Sequence, residues 1–416
     1  MESSALVSAI EEAAARLRGI ALRSSLERST RLSDRYRAEV LIKREDQQAV
    51  RSFKIRGAYN KVATLGDAAR AQGVVCASAG NHAQGVASAC ALKRIRATIF
   101  MPTVTPEQKV ARVRHFGGTY VDIRLVGDTY DDAGEAAVTF AAETGALPVP
   151  PFDDAMTIAG QGTIGKEIVE DLDGGPEVLV AAVGGGGLLS GIAAYVKQAY
   201  PSALLVGAEP AGAASMTAAL AAGGPVKLPA IDRFVDGAAV QEVGATTFAI
   251  FQRCVDRVLV VPEGKVCTTA VELYQDDGII AEPAGALPIA ALDQLAPAIE
   301  GRRVVCVLSG GNNDILRYPE ILERSLVYEG RKHYFIIEFA QKPGQLRRFV
   351  DQALGPTDDI VRFEYLKKNQ KERGAALVGL ELRDRGDLAP LLRRLERVGI
   401  NHRQLSSDEL LYDYVI

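Results

Sequence analysis

The stretch Val178-Leu179-Val180-Ala181-Ala182-Val183-Gly184-Gly185-Gly186-Gly187-Leu188 indicates the fold class of the chain. Its first six residues are apolar without polar alternation, which is typical of a parallel strand buried on both faces. Four glycines follow and lead into a predicted helix around residues 192–196. Four glycines lose much conformational entropy on folding, and consecutive N–H groups at a helix N-terminus bind phosphate. We therefore interpret the glycines as a phosphate-binding loop, with a structural turn as the alternative.

Short apolar runs of the same kind recur along the first three quarters of the chain. They occupy residues 40–42, 74–76, 98–100, 120–121, 204–206, 258–261 and 304–308. The segments between them, such as residues 106–115 and 128–144, are long enough to form crossover helices. The sequence therefore predicts an α/β fold with parallel sheets, in which ligands bind beyond the carboxyl ends of the strands.

The composition is that of a globular protein with large cores. The chain has 416 residues, of which 48% are hydrophobic and 24% are charged, with a net charge of −4. This excludes a disordered or collagen-like chain, and it does not favour nucleic acid or a membrane surface as a partner. The five cysteines are scattered without a Cys-x-x-Cys pair, which argues against a disulfide framework or a zinc site. With no apparent signal peptide or apolar stretch of ~20 residues, we expect a soluble, cytoplasmic protein.

The last part of the chain differs in composition, which predicts a domain boundary near residues 328–331. Residues 331–416 hold 16 Lys and Arg and 13 Asp and Glu. Predicted strands at 334–339 and 375–382 are each followed by a helix, which opens at residues 342–346 and 386–388. Such a repeat indicates a split βαβ, ferredoxin-like domain. Because it carries no cluster of catalytic residue types, we interpret it as a binding or oligomerisation module.

Lys54 lies where an apolar helix is predicted to begin, within Arg51-Ser52-Phe53-Lys54-Ile55-Arg56. A lysine in a first helical turn is often a solvated surface group. However, a helix N-terminus destabilises a cation, and burial lowers the pKa of an amine. These are the conditions under which lysine acts as a nucleophile or Schiff-base former, so both interpretations stay open on this residue alone.

Three further polar segments are predicted at strand ends or segment junctions. They are Ser78-Ala79-Gly80-Asn81-His82, Ser309-Gly310-Gly311-Asn312 and Glu282-Pro283-Ala284-Gly285. The first offers N–H groups and a hydroxyl to an anion, although a capping turn would use the same residues. The other two can be a turn and a helix cap, but several such loops at one sheet edge indicate a shared site.

The segment from Gly160 to Lys166 matches the spacing of a P-loop. Glu167 stands where a P-loop needs Ser or Thr for magnesium, and no predicted strand precedes the segment. A helix containing Ile164, Ile168 and Val169 explains the segment better.

Taken in order, these motifs resemble those of the fold type II pyridoxal-phosphate enzymes, most closely the biosynthetic threonine dehydratases. The resemblance also includes Lys43-Arg44-Glu45-Asp46-Gln47 and covers nearly the whole chain. It implies two parallel-sheet α/β subdomains within a catalytic domain at residues 1–330, the smaller at about 46–149 inserted in the larger. Residues 331–416 resemble an α+β ferredoxin-like regulatory domain of the ACT type.

The resemblance implies roles for the site residues, with pyridoxal 5′-phosphate as the cofactor. Lys54 would hold the cofactor as a Schiff base and, once free, move the α-proton, while Phe53 would flank the ring. Asn81 would bind the phenolic oxygen and Ser309 would face the pyridine nitrogen, leaving it largely neutral. The remaining roles are phosphate binding by Gly184, Gly185, Gly186, Gly187 and Leu188, and substrate carboxylate binding by Ser78, Ala79, Gly80, Asn81 and His82. Glu282 would lie near the reacting end of the substrate.

The implied reaction is β-elimination of water from L-threonine, giving 2-oxobutanoate and ammonia in the first step of isoleucine biosynthesis. Serine and 3-hydroxyaspartate are alternative substrates, because the sequence does not fix the size of the pocket. A non-catalytic amino-acid sensor is a third alternative. The regulatory domain implies inhibition by isoleucine opposed by valine, and the family implies a homotetramer.

Two positions differ from the serine racemases of the same fold. Ala79 stands where those enzymes have a serine that transfers a proton, so racemisation is not expected. Their divalent-cation ligands are incomplete here, because Glu209 is present but Ser215 replaces a second carboxylate. We therefore assign no metal site.

Overall fold

The computed structural model describes residues 3–365 and 372–406. Residues 366–371 and 407–416 of the predicted regulatory domain, and the first two residues of the chain, lie outside the described part. The chain divides into two compact units, one formed by Met1–Glu263 and Leu273–Asn313, the other by Gly264–Glu272 and Asp314–Ile416. The predicted boundary near residue 330 stays a prediction.

Helices alternate with strands through most of the chain. The strands are β1 (Leu26–Arg28), β2 (Glu39–Arg44), β3 (Val74–Ala77), β4 (Ala97–Met101), β5 (Val121–Leu125), β6 (Leu147–Pro148), β7 (Val178–Ala182), β8 (Leu204–Pro210), β9 (Arg257–Val261), β10 (Arg303–Leu308), β11 (Lys332–Ala340), β12 (Asp359–Tyr365), β13 (Arg373–Glu381) and β14 (Asn401–Gln404). The α-helices are α1 (Ser3–Leu17), α2 (Thr30–Tyr36), α3 (Lys54–Ala63), α4 (Asp67–Gln72), α5 (Asn81–Lys93), α6 (Glu107–Gly117), α7 (Tyr130–Thr144), α8 (Ala155–Asp171), α9 (Gly187–Ala199), α10 (Ser215–Ala222), α11 (Ala245–Cys254), α12 (Glu263–Asp277), α13 (Pro283–Ala290), α14 (Leu292–Ile299), α15 (Tyr318–Tyr328), α16 (Gln345–Gln352) and α17 (Leu388–Val398).

The first unit contains two sheets, and this confirms the predicted α/β class. A six-stranded sheet has the order β1-β2-β10-β7-β8-β9, parallel except at β1, and a four-stranded parallel sheet has the order β5-β4-β3-β6. In the centre of the larger sheet, Cys306 pairs with Ile42 on one side and Val180 on the other. All three side chains are buried, as expected for Val-rich strands covered on both faces.

The segment that matches the P-loop spacing is helical, as the sequence predicts. It lies within α8, whose first turn is capped by the Asp154 carboxylate accepting from the N–H groups of Met156 and Thr157. Its glycines allow close helix packing, because a Cβ on Gly162 would lie 2.9 Å from the carbonyl oxygen of Gly191 in α9. The glycines of this segment therefore allow α8 and α9 to pack closely.

The second unit has the predicted ferredoxin-like topology. Its four-stranded antiparallel sheet has the order β12-β13-β11-β14. Helix α16 connects β11 to β12, and α17 connects β13 to β14, which gives the βαββαβ sequence of that fold. A buried core of its own, including Phe335, Phe349, Val378 and Leu391, packs between sheet and helices.

In the described ranges, no helix is both long and apolar enough to cross a membrane.

Candidate functional site

Three strands of the first unit end in the segments that carry the predicted site residues. Strand β3 is followed by residues 78–80 and the N-terminus of α5, and β7 is followed by the glycine loop and α9. Strand β10 leads directly into Ser309. Each polar segment follows its strand directly and therefore lies at the carboxyl end of that strand. The strands are parallel to their neighbours, and open α/β sheets of this kind bind ligands at the carboxyl ends.

Lys54 is the first residue of α3, and its side chain is partly buried. Its Nζ donates to the carbonyl oxygen of Pro151 at 2.8 Å and lies 5.2 Å from the centre of the Phe53 ring. Burial lowers the pKa of Lys54 to about 8, against the opposing effect of the Glu282 carboxylate. A substantial fraction of this amine is therefore neutral and nucleophilic near neutral pH.

The backbone beside Lys54 is fixed to the end of β10. The N–H of Phe53 donates to the carbonyl oxygen of Ser309 at 3.0 Å, and Ser52 forms a β-bridge with Gly310. The Ser309 hydroxyl is buried and donates to the carbonyl oxygen of Ala284 at 3.3 Å. The structure therefore brings Phe53, Lys54 and Ser309 together, as the sequence predicts for one site.

The glycine loop is packed so closely that side chains would not fit. A Cβ on Gly185 would lie 2.3 Å from Cγ of Phe152, and one on Gly184 would lie 2.9 Å from the carbonyl oxygen of Ala238. Gly186 has a φ of 87°, a conformation that favours glycine. Among the described residues, nothing accepts a hydrogen bond from the N–H groups of Gly184, Gly185 and Gly186. These donors, at the N-terminus of α9, suit an anion.

Asn81 and Glu282 form a hydrogen-bonded pair in which Glu282 is buried and Asn81 is partly buried. Nδ2 of Asn81 donates to Oε1 of Glu282 at 2.7 Å, and the Glu282 side chain is only 5% exposed. Burial raises the pKa of Glu282 to about 7, and the Asp236 carboxylate adds to this, whereas the hydrogen bond from Asn81 and the charge of Lys109 oppose it. Glu282 can therefore exchange a proton near neutral pH.

His82 is buried, and its ring contacts the backbone of Val149. Its Nε2 is 2.7 Å from the carbonyl oxygen of Val149, so Nε2 carries the proton and donates it. Burial lowers the pKa of His82 to about 3, and the nearby charge of Lys54 acts in the same direction. The side chain of His82 is therefore a neutral imidazole, and its backbone belongs to the first turn of α5.

The segment between β3 and α5 is partly exposed and forms a turn. Ser78 donates its N–H to the carbonyl oxygen of Phe100 at 3.0 Å, and its Oγ accepts from the N–H of Gly80 at 3.3 Å. Ala79 follows within the same turn. The segment precedes a helix of 13 residues, and the N-terminus of that helix gives it the local positive potential that favours a carboxylate.

The sequence analysis missed the contributions of Pro151, Phe152 and the Asn312 side chain. Pro151 accepts from Lys54, and the next residue, Phe152, fills the space beside the glycine loop. Asn312 donates to Oδ1 of Asn81 at 2.7 Å. The Pro-Pro-Phe run at 150–152 was a signal for a fixed turn, but its partners depend on tertiary structure.

Glu209 is occupied by its own polypeptide chain. It accepts from the N–H groups of Met216 and Thr217 at 2.6 and 2.9 Å and from the Thr217 hydroxyl at 2.8 Å. Within residues 3–365 and 372–406, no group of three His, Cys, Asp or Glu side chains is arranged to hold a metal ion.

Both units match known families. Residues 18–310 match the pyridoxal-phosphate dependent enzymes, and residues 323–415 match the C-terminal regulatory domain of threonine dehydratase. The chain is 50% identical over 400 residues to the biosynthetic L-threonine dehydratase IlvA of Bacillus subtilis, covering 96% of this chain and 95% of that protein. It is also 50% identical over 410 residues to the Mycobacterium tuberculosis IlvA, covering 98% and 95% of the two chains.

Solved structures agree with these sequence matches. The processed form of threonine deaminase isoform 2 from Solanum lycopersicum aligns with a TM-score of 0.74 and 39% identity, covering 78% of this chain and 94% of that one. Maize serine racemase aligns with a TM-score of 0.71 and 30% identity, covering 77% and 98%. The chain therefore belongs to the biosynthetic threonine dehydratases, pyridoxal-phosphate-dependent enzymes with a C-terminal regulatory domain.

Proposed function

We propose that this chain deaminates L-threonine to 2-oxobutanoate and ammonia as the first step of isoleucine biosynthesis, with Lys54 as the catalytic lysine. The observation that carries the proposal is the environment of Lys54. Its amine lies partly buried at a helix N-terminus, has a pKa of about 8 and donates a hydrogen bond to a neutral backbone carbonyl. An amine in this state reacts with an aldehyde and can also accept a proton.

The described residues fit pyridoxal phosphate. The N–H groups of Gly184, Gly185 and Gly186 meet no acceptor among the described residues and can take the phosphate, while Lys54 supplies the amine for the aldehyde. Asn81 would donate to the phenolic oxygen and Ser309 would face the pyridine nitrogen. When bound, the cofactor withdraws electrons from the substrate carbon that loses its proton.

The protein groups supply positioning and proton transfer. The N–H groups and hydroxyl of the Ser78–Asn81 segment would hold the threonine carboxylate. Lys54, as a neutral amine, would take the proton from Cα. The β-hydroxyl would then leave with a proton as water, which in sum accounts for the proton taken from Cα, and the four-carbon enamine would be released. Hydrolysis of the enamine consumes one water and gives 2-oxobutanoate and ammonia, so water and protons balance.

The substrate class is tested by comparing L-threonine, L-serine and 3-hydroxyaspartate as substrates of the cofactor-loaded protein. The highest kcat/KM for 2-oxo acid release is expected with L-threonine. A higher value with either other amino acid would overturn the substrate assignment. A protein that takes up no pyridoxal phosphate and releases no 2-oxo acid would instead be a sensor.

The second unit would bind isoleucine as an inhibitor and valine as an opposing effector. Such control requires that each effector bind two conformational states with different affinities. We place the enzyme in the cytoplasm as a homotetramer. Isoleucine titration of the full chain and of a shortened chain ending at residue 330 tests the effector role. Inhibition is expected only in the full chain, and equal inhibition of both would overturn the role of the tail.

A further inference from the structure

Asn312 uses both hydrogens of its side-chain amide on two acceptors of different kinds. Its Nδ2 donates to the carbonyl oxygen of Val50 at 2.7 Å and to Oδ1 of Asn81 at 2.7 Å. Its own Oδ1 is buried and accepts no hydrogen bond from the described residues. The Asn312 side chain therefore connects the backbone at Val50 to Asn81, a residue predicted to bind the cofactor.

The orientation of the Asn312 amide is set by Val50. A backbone carbonyl only accepts hydrogen bonds, so rotating the amide by 180° would place Oδ1 of Asn312 against the Val50 oxygen. Both hydrogen bonds of Nδ2 would then be lost. Because buried polar groups without partners are costly, Asn312 must present a donor to Asn81.

Asn81 is oriented in turn by its two neighbours. Its Oδ1 faces the Asn312 donor, and its Nδ2 faces the Glu282 carboxylate. The Asn81 amide uses one N–H on Glu282, and its second N–H has no acceptor among the described residues. With the opposite orientation, Asn81 would place its oxygen against Glu282 and its amino group against the Asn312 donor.

We propose that Asn312 is a positioning residue that locks the amide of Asn81 as a hydrogen-bond donor toward the cofactor. This inference rests on the proposed role of Asn81 at the phenolic oxygen. A donor there stabilises the deprotonated, more negative form of the bound cofactor. Without the hydrogen bond from Asn312, the Asn81 amide can rotate, and its hydrogen bond to the phenolic oxygen weakens. The pH at which the visible absorption of the bound cofactor changes should then rise.

A double-mutant cycle on the cofactor-loaded full chain tests the proposal. Wild type, Asn312→Ala, Asn81→Ala and the double variant are compared through the pH midpoint of the cofactor absorption and through cofactor affinity. Asn313→Ala is the matched control, because Asn313 is the next residue and its buried amide has no hydrogen-bond partner in the described structure. Asn312→Asp, which keeps the size of the side chain and removes the donor, is the second variant if Asn312→Ala does not fold.

In the wild-type background, Asn312→Ala should raise the absorption midpoint by up to about one pH unit and weaken cofactor binding about tenfold. In the Asn81→Ala background, Asn312→Ala should cause no further change in midpoint or affinity, because the Asn81 amide that Asn312 orients is absent. Equal effects in both backgrounds, or an effect no larger than that of Asn313→Ala, would overturn the proposal. If Asn81→Ala itself left the absorption unchanged, the proposed role of Asn81 would fail, and this inference with it.

Discussion

Nδ2 of Asn81 donates to Oε1 of Glu282 at 2.7 Å, so a residue at the start of α5 is joined to the residue that precedes α13. The pair lies inside the first unit, with the Glu282 carboxylate almost completely buried. A carboxylate in this position is disfavoured in its charged form. The stability of the protein should therefore depend on the protonation state of Glu282.

The first prediction concerns the pH dependence of stability. Burial raises the pKa of Glu282 from 4.5 to about 7, so the native state binds this proton more tightly than the unfolded state. The stability that the protonated Glu282 side chain contributes is fully present below about pH 4.5 and is lost as the pH rises through about 7. Relative to wild type, Glu282→Gln should gain roughly 2–3 kcal/mol in free energy of unfolding across this window.

Denaturant unfolding at several pH values measures this difference. The control is Glu135→Gln, because the Glu135 side chain is exposed on α7. A constant difference between Glu282→Gln and wild type from about pH 4.5 to about pH 8 would show that Glu282 is not destabilised in its charged form.

The second prediction concerns the reactivity of Lys54 in cofactor-free protein. Burial lowers its pKa to about 8, and only the neutral amine attacks an aldehyde. The rate of covalent attachment of pyridoxal phosphate should fall about tenfold per pH unit below this value and level off above it.

Stopped-flow absorbance, followed by borohydride reduction and peptide mass spectrometry, measures the rate and locates the label. Lys54→Ala should take up no covalent label, whereas the exposed Lys227→Ala should behave as wild type. A rate that keeps rising beyond about pH 10, the range of an ordinary lysine, would contradict the effect of burial.

The third prediction concerns the close packing of the glycine loop. Gly185→Ala would place a methyl group 2.3 Å from the Phe152 ring, and the ring or the loop would have to move. Because the same loop offers the phosphate-binding N–H groups, cofactor affinity should fall about tenfold or more. Fluorescence titration with pyridoxal phosphate measures the affinity.

The matched control for the loop is Gly134→Ala. Gly134 lies within α7 with nothing within 4 Å of the added Cβ, so this change should leave cofactor affinity intact and stabilise the helix by about 0.5–1 kcal/mol. Wild-type affinity in Gly185→Ala would contradict the proposed phosphate site.

The fourth prediction concerns a buried ion cluster around Arg56, which lies two residues after Lys54 in α3. Arg56 is 1% exposed and pairs with Glu45 at 2.8 Å and Glu167 at 2.6 Å. Arg56→Met would leave the buried Glu45 charge without its main partner, so the free energy of unfolding should fall by about 3–5 kcal/mol. A loss below about 1 kcal/mol, the range of a surface pair, would contradict this role.

The fold was largely predictable because its central strands are continuous apolar runs. Strands β7 and β10 were recognised from their Val-rich sequences and are confirmed. Strands β12 and β14 were missed because both lie at sheet edges, where β14 has only polar residues and the apolar residues of β12 are interrupted by the charged Asp359, Arg362 and Glu364. Strands β1 and β6 have only three and two residues, too few for a periodic pattern.

The site was predictable where it depends on side-chain type in an ordered motif. Lys54, Asn81 and Ser309 were selected on that basis, and their roles stay predictions until tested. The carbonyl of Pro151 carried no such signal, because every residue has a backbone carbonyl. Asn312 stood in the motif that begins at Ser309, but the role of its donor follows only from its neighbours. Such contacts follow from tertiary structure.

The most direct test of the account is the release of 2-oxobutanoate from L-threonine by the cofactor-loaded full chain, beside Lys54→Ala and Lys227→Ala loaded in the same way. We expect sustained release by wild type and by Lys227→Ala, and a loss of at least about 10³-fold in kcat for Lys54→Ala. Release by Lys54→Ala at a rate close to that of wild type would contradict the assignment of Lys54 as the catalytic lysine.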